Sequence, residues 1–132
     1  MTYEQFLSAL CLWREARGSS LPALTAIYHV ILNRVADPAH RWPRTIPGAI
    51  LQPYQFSSFL KSDPNVTKFP IDDGSADWKA WLDCCLAVST LIGGDPTRGA
   101  TNYESCAPDA LPPWADPSKL TVTIGPFRFY RL

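Results

Sequence analysis

Three stretches of this chain carry apolar side chains at helical spacing, and each is closed by glycine or proline. In the first, Tyr3, Phe6, Leu7, Leu10 and Trp13 recur every three or four residues. Thr2 stands where an N-cap belongs, and Gln5 completes a capping-box pattern. Gly18, after Arg17, offers the left-handed residue that ends a helix. The second stretch begins at Leu21–Pro22, places Leu24, Ile27, Tyr28, Ile31 and Val35 on one stripe, and stops at Pro38. The third runs from about Ser75 to Leu91 and lines Trp78, Trp81, Leu82, Cys85 and Val88 or Ser89 along one face before Gly93–Gly94. A short helix is expected around Pro47–Leu51. Segment 52–75 is irregular and too long for a plain connection, so it reads as a binding element. "DPTRGATNYES" reads as loop or short turns. The tail "KLTVTIGPFRFYRL" alternates and turns at Gly125–Pro126, which predicts a terminal hairpin. The sum is an α+β chain, mainly α-helical, with a small C-terminal β-hairpin. Its 132 residues suit a single domain, 1–132, around one core.

Composition excludes several classes. Formal net charge is zero, so the chain has no electrostatic footprint for nucleic acid or an anionic membrane. The start, "MTYEQFLSALCLW", has an acidic residue, no basic leader region and spaced apolar residues. It reads as neither a signal peptide nor a membrane anchor. The expectation is a monomer made in the cytoplasm. Cys11, Cys84, Cys85 and Cys106 form no CxxC pair, and His29 and His40 complete no cluster, so no metal and no cofactor are expected. Buried free thiols are the reading for such a chain, with a Cys106 bridge to Cys84 or Cys85 reserved for an oxidising space. The five tryptophans and five tyrosines suit sugar rings as well as a core, because a sugar presents an apolar C–H face and polar edges.

Glu15, in "LWREARGSS", falls in the last turn of the first helix. That end carries the negative pole of the helix dipole, which disfavours an anion. Alone, such a glutamate is an ordinary helix-end acid with Arg14 and Arg17 beside it. Four separated stretches change the reading when taken together: "WREARG", "IYHVILNRV", "QPYQFSSF" and "GATNYES…PPWA…TIGPFRFYR". In this order they resemble the cell wall hydrolase family typified by spore-cortex-lytic enzymes, which includes phage endolysins. The resemblance covers nearly the whole chain, with a gap at the loop around 61–76. It implies a lysozyme-like fold that cleaves the glycan strands of peptidoglycan, as a muramidase or a lytic transglycosylase acting after release from the cell. It places the catalytic acid on Glu15, the glutamine–phenylalanine pair on Gln55 and Phe56, the motif tyrosine on Tyr103, and the closing segment on Phe129, Tyr130 and Arg131. The chain departs from the family pattern at Arg14, where glycine is usual, at Ser19, where glutamate is common, and at Pro126–Phe127, where a histidine is common.

The chemistry asks for such an arrangement. Cleaving a glycosidic bond requires a proton on a poor leaving oxygen while an oxocarbenium-like ion forms. A carboxylic acid sheltered by aromatic side chains keeps that proton more readily than one in water. Trp13, Tyr54, Phe56 and Tyr103 are the candidates for shelter, and at least one of Arg14 and Arg17 is expected to point away. Gln55 would orient an N-acetyl group or a water. Tyr54, Trp114 and Tyr130 would add sugar contacts. Asn33 and Arg34 would stitch the second helix to neighbouring loops. Most glycosidases need a second carboxylate, and the candidates are Asp72, Asp73, Asp77 and Glu104. With none in place, the substrate's own N-acetyl group could stabilise the cation. Three other readings compete: a non-catalytic glycan-binding module on the same fold, a small helical interaction protein, and a cysteine peptidase built on Cys106.

Overall fold

The computed structural model describes residues 1–53, 55–91 and 93–132. Four helices form the body: α1 (Tyr3–Ala16), α2 (Leu21–Val35), α3 (Ile46–Leu51) and α4 (Ala76–Ser89). Each starts on a side chain that caps it. Thr2 Oγ1 accepts from the Gln5 amide and Gln5 Oε1 accepts from the Thr2 amide, closing the capping box. Ser20, Thr45 and Ser75 cap α2, α3 and α4 in the same way. Gly18, at φ +86°, ends α1 in the left-handed region, where a Cβ would be strained.

Helix α1 is buried on all sides from Leu7 to Arg14. Tyr3 and Phe6, expected on its buried stripe, lie at the exposed end instead. A helix enclosed all round sits in the middle of a fold, and here α4, α3 and α2 all pack on it. Small residues make this possible. Ser8, Ala9, Ala23, Ala26 and Ala87 are almost wholly buried, so backbones approach closely.

Helix α4 corrects another expectation. It buries Ala80, Trp81, Cys84, Ala87 and Val88, while Leu82 and Leu86 face outward at 51% and 48% exposure. Trp81 and Val88 are buried as expected and Trp78 and Cys85 are half-buried against the core, but the small residues Ala80, Cys84 and Ala87 take the place given to Leu82. The helix also ends at Ser89, short of Leu91.

The sheet has three antiparallel strands in the order β1-β3-β2: β1 (Asn102–Glu104), β2 (Leu120–Ile124) and β3 (Phe127–Tyr130). Strands β2 and β3 are the expected hairpin, turning at Gly125–Pro126. Strand β1 stands where a loop or short turns are expected. It pairs Asn102 with Tyr130, Tyr103 with Phe129 and Glu104 with Arg128. Between Leu120 and Val122 the β2 register slips, and the Thr121 hydroxyl donates to the carbonyls of Thr97 and Phe129 at 2.7 and 3.2 Å. Phe129 is fully buried and joins the sheet to the helical core.

Helix α2 is stitched to the loop before β1, as expected of Asn33 and Arg34. Asn33 Nδ2 donates to Asp95 Oδ2 at 2.9 Å and to the Ala100 carbonyl at 2.8 Å. Arg34 Nε donates to the Thr101 carbonyl at 2.7 Å. Among the described residues no helix is long and apolar enough to cross a membrane.

All four cysteines are free thiols. Cys11 and Cys84 are fully buried, Cys85 is half-buried and Cys106 is exposed. Burial pushes the Cys11 thiol well up and the Cys84 thiol to about 12. In the native protein, a chromophoric disulfide reagent at neutral pH is expected to titrate Cys106 first and Cys85 more slowly. Cys11 and Cys84 should respond only after denaturation. Equal rates for all four would contradict this burial order.

Candidate active site

Glu15 occupies the last turn of α1, half-buried, one residue from the helix end. Its Oε1 accepts from the Ser58 hydroxyl at 2.9 Å and from the Ser58 amide at 3.3 Å. None of the ion pairs among the described residues includes it. Both neighbouring arginines have other partners. Arg14 donates to the carbonyls of Val66 and Lys68. Arg17 pairs with Asp77 at 3.4 Å, and its guanidinium lies 4.2 Å from the centre of the Trp13 ring. The expectation that one arginine turns away holds for both.

Glu15 opens onto a cleft of about 470 Å³ lined by Arg34, Gln55, Phe56, Ser57, Asn102, Tyr103 and Trp114. Clefts of this size hold small ligands or a piece of a polymer. Phe56 is buried and forms part of its apolar floor. Arg34 Nη1 donates to Gln55 Oε1 at 3.2 Å. A guanidinium can only donate, so this bond fixes the amide's orientation and makes Gln55 Nε2 its donor end. Burial lowers the Arg34 pKa from the ordinary arginine value, but a guanidinium in this environment stays charged. Burial likewise pushes the Tyr103 phenol well above its ordinary value, with Cys11 and Glu15 adding to the rise. Tyr103 packs edge-on to Phe127 and tilted against Phe129, which fixes its ring. Trp114 is one-third exposed at the cleft wall and stands edge-on to Tyr130, with ring centres 5.5 Å apart.

The structure therefore gathers Glu15, Gln55, Phe56, Tyr103 and Trp114 into one cleft. Tyr54 lies outside the described residues. Tyr130 is 2% exposed and backs Trp114 without lining the cleft. Trp13 does not shelter Glu15. Its indole donates to the Asp77 carbonyl at 2.9 Å and lines a second hollow that shares no residue with the Glu15 cleft. Asp73 and Asp77 border that second hollow, and Asp72 is exposed. Glu104 is bound to Arg128, Tyr130 and the Cys106 amide. None of the four candidate second carboxylates reaches Glu15's cleft.

Sequence reasoning missed Ser58 and Asn102 as site residues and gave Arg34 a stitching role only. Asn102 Oδ1 is buried without a hydrogen-bond partner among the described residues, at the edge of the cleft. Ser58 stood in the quoted "QPYQFSSF" stretch, whose second serine was the available signal. Asn102 and Arg34 enter the cleft only through tertiary packing.

The family model for cell wall hydrolases matches residues 18–130, more than four-fifths of the chain. The chain belongs to the cell wall hydrolase family. Among solved structures, the catalytic domain of the germination-specific lytic transglycosylase SleB from Bacillus anthracis is similar, with 26% identity and a TM-score of 0.65 over 99% of this chain and 97% of that one. The catalytic domain of the Bacillus cereus SleB protein is similar at 29% identity and a TM-score of 0.65, over 97% of this chain and 89% of that one. A search of curated proteins finds no match. The lysozyme-like, mainly helical architecture with its small sheet is thus the fold of the SleB catalytic domains. The family match begins three residues beyond Glu15, so the case for that residue rests on its geometry.

In this cell wall hydrolase the β wall of the cleft hangs on Glu104. Asn102 and Tyr103 precede it on β1, and the Arg128 guanidinium on β3 holds its carboxyl at about 2, well below the usual range. A lowered folded value means that the stabilisation is complete above the unfolded value near 4.3 and drains away as pH falls through about 2. Glu104→Gln is expected to be less stable than the parent at about pH 7, with the gap narrowing by about pH 3. Urea unfolding at both pH values checks this. A gap that stays constant or widens in acid would contradict it.

Proposed function

We propose that this protein cleaves the glycan strands of peptidoglycan as a lytic transglycosylase, with Glu15 as both acid and base. One observation carries the reading: among the described residues, Glu15 is the sole carboxylate lining the cleft. A retaining glycosidase needs a second carboxylate about 5 Å away, and an inverting one about 6.5–9.5 Å away. With no second carboxylate among the described residues lining the cleft, the substrate would supply the second group.

The step balances as follows. Glu15 gives its proton to the oxygen between muramic acid and glucosamine, and the bond from C1 of the muramic acid to that oxygen breaks. The carbonyl oxygen of the muramic N-acetyl group shares the charge left at C1. The Glu15 carboxylate then takes the proton of the same sugar's 6-hydroxyl. O6 bonds to C1, the N-acetyl group is released, and Glu15 is again an acid. No water is consumed, and the product ends in an anhydro ring.

The remaining cleft residues fit that path. Gln55 Nε2, the donor end set by the Arg34 bond, would donate to a carbonyl oxygen of the substrate. Trp114 offers a ring face to a sugar, and Phe56 an apolar floor. The Ser58 donors hold Oε1 and so fix the carboxyl plane. The similarity to SleB, a protein described as a lytic transglycosylase, supports the same outcome. The setting that goes with this chemistry is endolysin-type action on the wall after release.

Glu15→Gln tests the assignment. Turnover of purified peptidoglycan should fall by about 10³-fold, the order of a lost general acid. Sedimentation with sacculi and the melting temperature should stay near the parent's. Near-parental turnover would remove Glu15 from the chemistry, whereas a parent that sediments with sacculi but releases no glycan would make a non-catalytic glycan-binding module the better reading.

A further inference from the structure

Arg14 departs from the usual glycine before the acid, and its side chain makes an unusual set of contacts. It is 7% exposed. Nε and Nη2 both donate to the Lys68 carbonyl at 3.1 Å, and Nη2 also donates to the Val66 carbonyl at 3.0 Å. The guanidinium carbon lies 4.9 Å from the ring centres of both Phe59 and Phe69. One planar fork thus binds two backbone carbonyls through its edge while two aromatic rings approach it. Phe59 is the immediate neighbour of Ser58, whose hydroxyl and amide hold Glu15. Val66, Lys68 and Phe69 belong to the far end of the same loop. The clasp and the acid are adjacent on the last turn of α1, so a shift of one end of the loop is felt at the carboxyl.

We propose that Arg14 is a positioning residue for the reaction: it clamps loop 57–69 onto the end of α1, and through Phe59 and Ser58 it fixes the carboxyl of Glu15. The proposal rests on the transglycosylase reading for its effect on turnover and on geometry alone for the clamp. Lysine cannot replace arginine here. Its ammonium is a point charge that lacks the planar fork needed to bridge two carbonyls edge-on. Arginine also stacks on aromatic faces better than lysine does. The clamp makes sense of a charged residue buried beside a proposed acid, because its donors are turned to carbonyls and away from Glu15.

The test combines two readouts. Hydrogen exchange on the full chain, without substrate, reads the clamp. Arg14→Lys should lose protection in residues 57–69 while the core of α1 and α2 keeps it. Turnover of purified peptidoglycan reads the consequence. Arg14→Lys should lower kcat about tenfold, the order of one lost hydrogen bond to a charged group, with KM changed less than about twofold. Ser58→Ala should do the same. The double variant should be scarcely worse than either single one, because both act on the same contact. If Arg14→Lys folds poorly, Phe69→Ala asks the same question from the loop, since Phe69 is 56% exposed and outside the core. Unchanged exchange in 57–69 would overturn the clamp. Multiplying losses in the double variant, or a loss confined to KM, would overturn its link to Glu15. A parent protein without turnover on peptidoglycan would instead sink the functional reading, and the exchange result would still decide the clamp.

Discussion

The burial of α1 on all sides is the constraint from which the site follows. A helix enclosed by α2, α3 and α4 can meet solvent only at its ends. Gly18 breaks it sharply, and the last turn is left to be covered by the loop after α3. That loop covers it incompletely. Ser58 closes over Oε1 of Glu15, and the space beyond is a cleft walled by Phe56, Arg34 and β1. The Glu15 carboxyl is thereby carried on the most enclosed helix of the fold, with a loop as its cover. Sites carried on rigid elements hold their geometry better than sites on loops.

Charge is arranged to the same end. Three arginines lie near the end of α1, and each has a partner other than Glu15. Arg14 binds carbonyls, Arg17 binds Asp77 and stacks on Trp13, and Arg34 binds Thr101 and Gln55. Arg34 also fixes the orientation of the Gln55 amide, so a buried residue sets the polarity of the cleft there. On the opposite wall, the Glu104–Arg128 pair spends a carboxylate on joining β1 to β3. This removes it from the chemistry and holds Tyr103 in place.

Much of this was legible in the chain, and what was not has physical reasons. Caps and breakers are local, so Thr2–Gln5, Gly18, Pro22 and the hairpin turn were readable. The α4 stripe is right at Trp81 and Val88 but wrong at Leu82, because Ala80, Cys84 and Ala87 carry much of the packing and hydrophobic periodicity is dominated by large residues. Strand β1 is three residues long, too short to alternate visibly. Glu15 is unremarkable alone and becomes a candidate acid only with the ordered set of motifs, and Gln55, Phe56, Tyr103 and Trp114 line the same cleft. Ser58, Asn102 and Arg34 depend on which loop closes over which helix, and no spacing along the chain encodes that.

The central claim is that the cleft offers one carboxylate and the substrate supplies the rest. Mass spectrometry of the glycan fragments released from purified peptidoglycan in ¹⁸O-labelled water tests it most directly. The account predicts fragments ending in 1,6-anhydro-muramic acid, lighter by one water and free of the label. Labelled reducing ends would mean that water attacks the sugar, and would contradict it.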